Sequence, residues 1–203
     1  MELSTADRQR IATAIAAAER QTSGEIVCVL ARSSADAAPL AVTVAALVAL
    51  ASPWLLVALT RLPVLQILWL QLAVFLVLVT VLCLPAVRIR LLPAATRRAM
   101  AHRVANEQFL LRGIGRTRGR TGVLIFVALA ERYARVVADE GIAARVGQAE
   151  WQGAVDSLVE HMRDGRIADG FVAAIERCGG LLGAHFPPPP GGHAELPDRI
   201  YVI

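Results

Sequence analysis

Lysine is missing altogether from the 203 residues, and every basic side chain apart from four histidines is arginine. With so much alanine beside it, that bias reads as genome composition rather than chemistry. Aromatic residues make up only 5%. The three cysteines, Cys28, Cys83 and Cys178, lie far apart, with no CxxC and no histidine at ligand spacing. That excludes a zinc knuckle and a disulfide framework, and it predicts buried free thiols in a reducing compartment. Charge is absent over one long stretch: between Pro39 and Val87 the only charged residue is Arg61. A transporter or channel needs ionisable groups within its spans, and none is present.

The uncharged stretch explains a hydrophobic content of 56%. Divided at Arg61 it gives spans at 39–60 and 64–87. At about 1.5 Å per residue each reaches roughly 33–36 Å, enough for a hydrocarbon core of about 30 Å. Thr60-Arg61-Leu62-Pro63 is then the turn of a transmembrane helical hairpin (38–88), with Arg61 at its tip. Core helices of soluble proteins rarely stay uncharged this long, and the stretch starts too far in and runs too long for a signal peptide. Pro53 predicts a kink in the first span. Gln66 and Gln71 offer hydrogen bonds across the hairpin or to a partner helix. A hairpin leaves both flanks on one side. These carry Arg20 and Arg32 before, and Arg88, Arg90, Arg97, Arg98 and Arg103 after. The positive-inside rule puts that side in the cytoplasm, giving a multi-pass protein of the inner (plasma) membrane. The net charge of +4 accompanies no nucleic-acid motif, so the expected partner is anionic lipid rather than nucleic acid.

The flanks read as α/β. Leu3–Thr22 is an amphipathic helix with Ser4 or Thr5 as cap, and EIVCVLA (25–31) is a β-branched strand. Residues 93–111 return to helix, with Met100, Val104, Phe109 and Leu110 as its apolar face. GIGRTRGRTG (113–122) is a glycine- and arginine-rich loop. VLIFVALA (123–130) suits a buried central strand, and Tyr133–Ala138 an antiparallel neighbour after a short turn. Asp139-Glu140-Gly141 ends that strand. Helices follow at 148–163 and 167–184, then a Pro/Gly-rich tail (187–203) whose Ile200–Ile203 end is apolar enough to dock. Residues 1–36 and 91–186 would form one discontinuous domain, a small central sheet between helices.

The order Ser23-Gly24-Glu25-Ile26-Val27, Phe109 with Gly113-Ile114-Gly115, Thr121-Gly122-Val123-Leu124-Ile125, Asp139-Glu140-Gly141-Ile142 and Trp151 before a terminal helix pair resembles the TPM domain. That family includes thylakoid-lumen proteins of photosystem II repair and many bacterial membrane proteins. The resemblance covers nearly all of the chain outside the hairpin and tail, and its motifs speak to architecture more than activity. It implies an α/β sandwich. Some relatives are described as acid phosphatases and some bind calcium, which needs acidic residues gathered at strand ends. Here Arg118-Gly119-Arg120-Thr121 stands where many relatives carry an acidic or amide residue.

Two candidate sites follow. Asp139 and Glu140 are candidate ligands for Ca2+ or another cation, with Glu25, Asp164 and Asp169 as further acids at element ends; a solvated capping turn is the alternative. Arg116, Arg118 and Arg120 among Gly113, Gly115 and Gly119 are a candidate anion cradle, without the GKS/T ending of a P-loop. His102, His161, His185 and His193 have no acid at diagnostic spacing, and no serine or cysteine sits in a nucleophile motif. Pro187–Pro190 suits a rigid spacer. The expectation is a membrane-anchored module that binds or stabilises another membrane protein. The alternative is a metal-dependent phosphohydrolase centred on Asp139 and Glu140.

Overall fold

A computed structural model describes residues 3–33, 38–84, 87, 92–188 and 195–203. Arg88, Arg90, Pro189, Pro190, His193 and positions 85 and 86 of the expected second span lie outside the described residues. The chain divides into two compact units, Met1–Ser34 with Met100–Ile203, and Ala35–Ala99.

The first unit is α/β, with a four-stranded mixed sheet in the order β3-β2-β1-β4. Helix α1 (Thr5–Glu19) starts at a capping box. The Ser4 hydroxyl accepts from the Asp7 N–H at 3.1 Å, and the Asp7 carboxylate accepts from the Ser4 N–H at 3.2 Å. Strand β1 (Glu25–Ala31) pairs parallel with β2 (Gly122–Ala128), Glu25 opposite Gly122 and Ala31 opposite Ala128. Both strands are buried along their whole length, as their unbroken apolar runs require. Strand β3 (Tyr133–Ala138) returns antiparallel beside β2. The tail closes the other edge as β4 (Ile200–Val202), parallel to β1.

The strand period of two sorts the core into layers. Ile26, Cys28, Leu30, Val123, Ile125 and Val127 pack with Ile11, Ile15, Trp151, Leu158 and Phe171. Those partners come from α1 and from the helices Gln148–Arg163 and Ile167–His185. Val27, Val29, Leu124 and Phe126 pack on the opposite face with Ala101, Ala105 and Ile114. Ala101 and Ala105 belong to the helix Ala94–Leu111, α4 below. Its buried stripe is therefore alanine, while Leu110, expected on the apolar face, is exposed. Small residues let this helix approach the sheet, and a leucine one turn from the loop finds no layer to enter.

The second unit holds α2 (Ala38–Leu59) and α3 (Val64–Cys83), which pack on one another. Ala41, Ala45 and Ala49 form the buried stripe of α2. The outward faces are apolar and open: Trp54 is 81% and Trp69 65% exposed. By length and composition both helices can cross a membrane. α2 runs on through Pro53. Proline leaves the Ala49 carbonyl without its helical donor, and the Ser52 hydroxyl donates to that oxygen at 2.8 Å. Cys83 is half-exposed, unlike the buried Cys28 and Cys178, because it lies on this open surface.

The remaining elements are α4 (Ala94–Leu111), a 3-10 turn (Ile114–Arg116), the single-turn α5 (Glu140–Ala143), α6 (Gln148–Arg163) and α7 (Ile167–His185).

Candidate functional site

Both sequence candidates fall at one place, the amino ends of the parallel strands. β3 runs antiparallel, so its last residues lie beside the first residues of β2. That geometry brings Asp139 and Glu140 against the 113–122 loop. Two glycines make the approach possible. A Cβ on Gly141 would stand 2.6 Å from the carbonyl oxygens of both Gly119 and Arg120, and one on Gly122 would stand 2.5 Å from the Ile114 carbonyl oxygen. No L side chain fits at either without backbone movement.

Asp139 caps α5. Its Oδ1 accepts from the Glu140 N–H at 2.7 Å. The residue is only 6% exposed, and its Oδ2 has no hydrogen-bond partner among the described residues. That oxygen faces Gly115, where a Cβ would come within 3.8 Å of it. The exposed Glu140 forms an ion pair with Arg120. Arg120 sits in the left-handed region, φ 51°.

The arginine loop is held internally. The Arg116 N–H donates to Gly113 O at 2.9 Å, and the Arg120 N–H to Thr117 O at 3.0 Å. The Thr121 N–H donates to the Thr117 hydroxyl at 3.1 Å. The Arg118 N–H donates to the Glu195 carboxylate at 3.2 Å. These amides are committed within the fold, so an anion here would meet guanidinium groups rather than a ring of free N–H donors. The side chains of Arg116 and Arg118 are open to solvent.

The residues do not fit a calcium cage. Calcium takes about six to eight oxygen ligands. Asp139 offers one open carboxylate oxygen, and Glu140 is engaged by Arg120. Among the described residues no cluster of three or more His, Cys, Asp or Glu could hold a metal. Asp164 pairs with Arg166 at 2.9 Å and Asp169 with Arg10 at 2.7 Å, away from this end. His102 accepts from Arg135 at 3.1 Å, and His161 donates to Ser157 O at 2.8 Å.

Glu25 has a role that sequence reading left unassigned. It is 3% exposed, and its two carboxylate oxygens accept from the backbone N–H groups of Glu195 and Leu196, each at 3.0 Å. The tail is thereby fixed just before β4. Nearby, Glu19 Oε1 accepts from the Ile26 N–H at 2.7 Å. Burial pushes the Glu19 carboxyl up to about 9, against the pull of that N–H, with Asp198 and Glu25 adding to the rise. The only advance signal is an acid at the first position of an otherwise apolar strand.

At the opposite, carboxyl end of the strands lies a cavity of about 470 Å³, walled by Leu129, Arg132, Tyr133, Val159, Met162 and Arg163. Burial raises the Tyr133 phenol above its ordinary value. Nothing in the local sequence marks this place, because its residues come from a turn and a helix end far apart in the chain.

No curated protein matches this chain. Among solved structures, the NMR structure of the BA42 protein from the psychrophilic bacterium Bizionia argentinensis is similar in fold, with a TM-score of 0.63 and 19% identity. The match covers 100% of this chain and 97% of that one. The family model for the TPM domain matches residues 86–181. That span takes in α4, the arginine loop, β2, β3 and most of the terminal helix pair, and over it the chain is similar to the TPM domain.

Proposed function

We propose that this protein is a membrane-anchored TPM-domain module that binds and stabilises a partner membrane protein. The observation that carries the anchor is the pair of helices Pro39–Leu59 and Val64–Cys83, 21 and 20 residues long, whose apolar outer faces are open. A patch of that size in water would drive aggregation; in a bilayer it is the solvent-facing surface. Gln71 supports the partner. It stands well inside α3, half-buried, with no hydrogen bond to any described residue. An amide at that depth in hydrocarbon favours a donor or acceptor from another helix. The arginine bias of the flanks supports a cytoplasmic TPM domain at the inner membrane, with Arg61 on the far side.

The test takes membranes containing the full chain through alkaline carbonate extraction, followed by labelling of Arg61→Cys in a variant without the native cysteines. Retention in the pellet, with reaction of residue 61 in intact cells, is expected. Release into the supernatant sinks the anchor; labelling only after permeabilisation inverts the topology. A photo-crosslinker at position 71 should capture a membrane protein in discrete yield, and one at Leu110 should not.

A second reading, a cation-dependent phosphohydrolase, is favoured by one observation, the buried open Oδ2 of Asp139. Arg120 on Glu140 counts against a dication there. Millimolar calcium raising the melting temperature of the wild type but not of Asp139→Asn would revive it.

A further inference from the structure

The cavity at the carboxyl ends of β1 and β2 continues into a second hollow. The two share Leu129, Met162 and Arg163, and the second adds Arg32 and Ile167. The result is one groove with an apolar floor and three arginines on its rim. No carboxylate lines either part among the described residues. The acids nearest in sequence are engaged elsewhere: Glu131 accepts from the Ser33 hydroxyl at 2.9 Å, and Asp164 holds Arg166. Arg132 and Arg163 are exposed and have no ion-pair partner among the described residues. Arg132 also holds φ 51°, a conformation that glycine adopts without cost and that an arginine keeps against steric strain. In open α/β sheets the crevice outside the carboxyl ends of the strands is the usual place for a ligand.

We propose that this groove seats the phosphate headgroup of an anionic membrane lipid. Guanidinium forks match phosphate oxygens, and the open guanidiniums of Arg132 and Arg163 beside an apolar floor match an amphiphile better than a free anion. Leu129, Val159 and Met162 would cover the glycerol and first acyl carbons. In sequence, Arg32 precedes the start of α2 at Ala38 by six residues. The proposal rests on the anchored reading above, but its test does not need a bilayer.

Full-length protein in an uncharged maltoside detergent is titrated with monomeric dihexanoyl-phosphatidylglycerol, followed by calorimetry. Dihexanoyl-phosphatidylcholine and inorganic phosphate serve as the comparison probes. One saturable site is expected for phosphatidylglycerol, at least about tenfold tighter than for either comparison probe. Arg132→Ala/Arg163→Ala should weaken it at least about tenfold, and Arg20→Ala/Arg98→Ala, with the same loss of charge, should leave it unchanged. Should the double variant fold poorly, Arg132→Gly decides: it should melt no lower than wild type and still bind the lipid more weakly. Equal binding of phosphatidylcholine, equal binding of inorganic phosphate, or full binding by Arg132→Gly would each overturn the headgroup site. Failure of carbonate resistance would sink the anchor alone, since lipid monomers reach the groove without a membrane.

Discussion

The two ends of the central sheet are built from the same kinds of residue and behave oppositely. At the amino end, Glu25 holds the tail, Glu195 holds the Arg118 amide, Arg120 holds Glu140, and glycines at 122 and 141 let backbone touch backbone. At the carboxyl end, Arg132 and Arg163 face a groove that no carboxylate lines among the described residues. In the conspicuous loop the fold consumes the backbone amides and the Arg120 guanidinium and leaves Arg116 and Arg118 open, while the inconspicuous pair Arg132 and Arg163 opens onto a groove. Charge pattern alone does not separate a structural network from a site; partner geometry does.

That contrast breaks most visibly at the glycines. Gly141→Ala and Gly122→Ala force a Cβ against main-chain oxygens that belong to the opposing loop. Each should cost roughly 3 kcal/mol in urea melts of the detergent-solubilised chain. Gly180→Ala, where no atom lies within 4 Å of the new Cβ, should be neutral or slightly stabilising. A mild Gly141→Ala would mean the amino end is looser than its contacts indicate.

Next in size is the tail clamp. Glu25→Ala removes two charge-assisted acceptors and should cost about 2 kcal/mol, Glu25→Gln about half as much because one acceptor remains. The specific readout is hydrogen exchange at Ile203, whose N–H donates to Leu30 O at 3.0 Å. It should accelerate in Glu25→Ala far more than exchange within β2. Uniform acceleration would show that Glu25 supports the whole unit and not β4 in particular.

Glu19 sharpens the comparison through pH. Its folded-state value is raised, by burial first, from 4.5 to about 9. The native state therefore holds a proton that the unfolded chain releases near 4.5. This stabilisation is complete below about 4.5, declines as pH rises, and is gone above about 9. Glu19→Gln keeps an acceptor for the Ile26 N–H and offers Asp198 a permanent donor. It should stabilise by on the order of 1 kcal/mol at pH 8 and flatten the pH dependence between those limits. A variant as pH-sensitive as wild type there would assign the titration to another acid.

How much of this was legible in advance follows from range. Strands 25–31 and 133–138 and the helix 148–163 coincide with their sequence readings, because unbroken apolar runs and helical spacing are local signals. The α/β class followed from their order. Asp139-Glu140-Gly141 ends the strand and, as the capping-turn alternative has it, caps the next segment; that this segment is the helix α5 was not legible, since a four-residue helix has no period to detect. The helix runs on through Pro53, and the Ser52 hydroxyl supplies a donor to Ala49 O, a local compensation that the proline alone does not announce. The Glu25 clamp joins residues 170 positions apart, and the carboxyl-end groove draws Arg32, Arg132 and Arg163 from three elements. By contrast Arg116, Arg118 and Arg120 stand out in the sequence because they alternate within five residues.

The smallest effect is the most diagnostic, because it sets the two ends against each other at matched positions. The non-glycine residues with positive φ among those described are both arginines at φ 51°, Arg120 at the amino end and Arg132 at the carboxyl end. Replacing either by glycine relieves a left-handed strain of about 1–2 kcal/mol and gives back about 0.4–1 kcal/mol through the freer unfolded chain. Arg120→Gly also loses the exposed pair with Glu140, about 0.2–1 kcal/mol, so it should fall within about 0.5 kcal/mol of wild type. Arg132→Gly has no such partner to lose and should come out about 0.5 kcal/mol more stable. An arginine retained where glycine is the more stable choice is held there by something other than folding, and the lipid titration asks what. If instead Arg132→Gly is the less stable of the two, the arginine already has a structural partner and the groove loses its strongest argument.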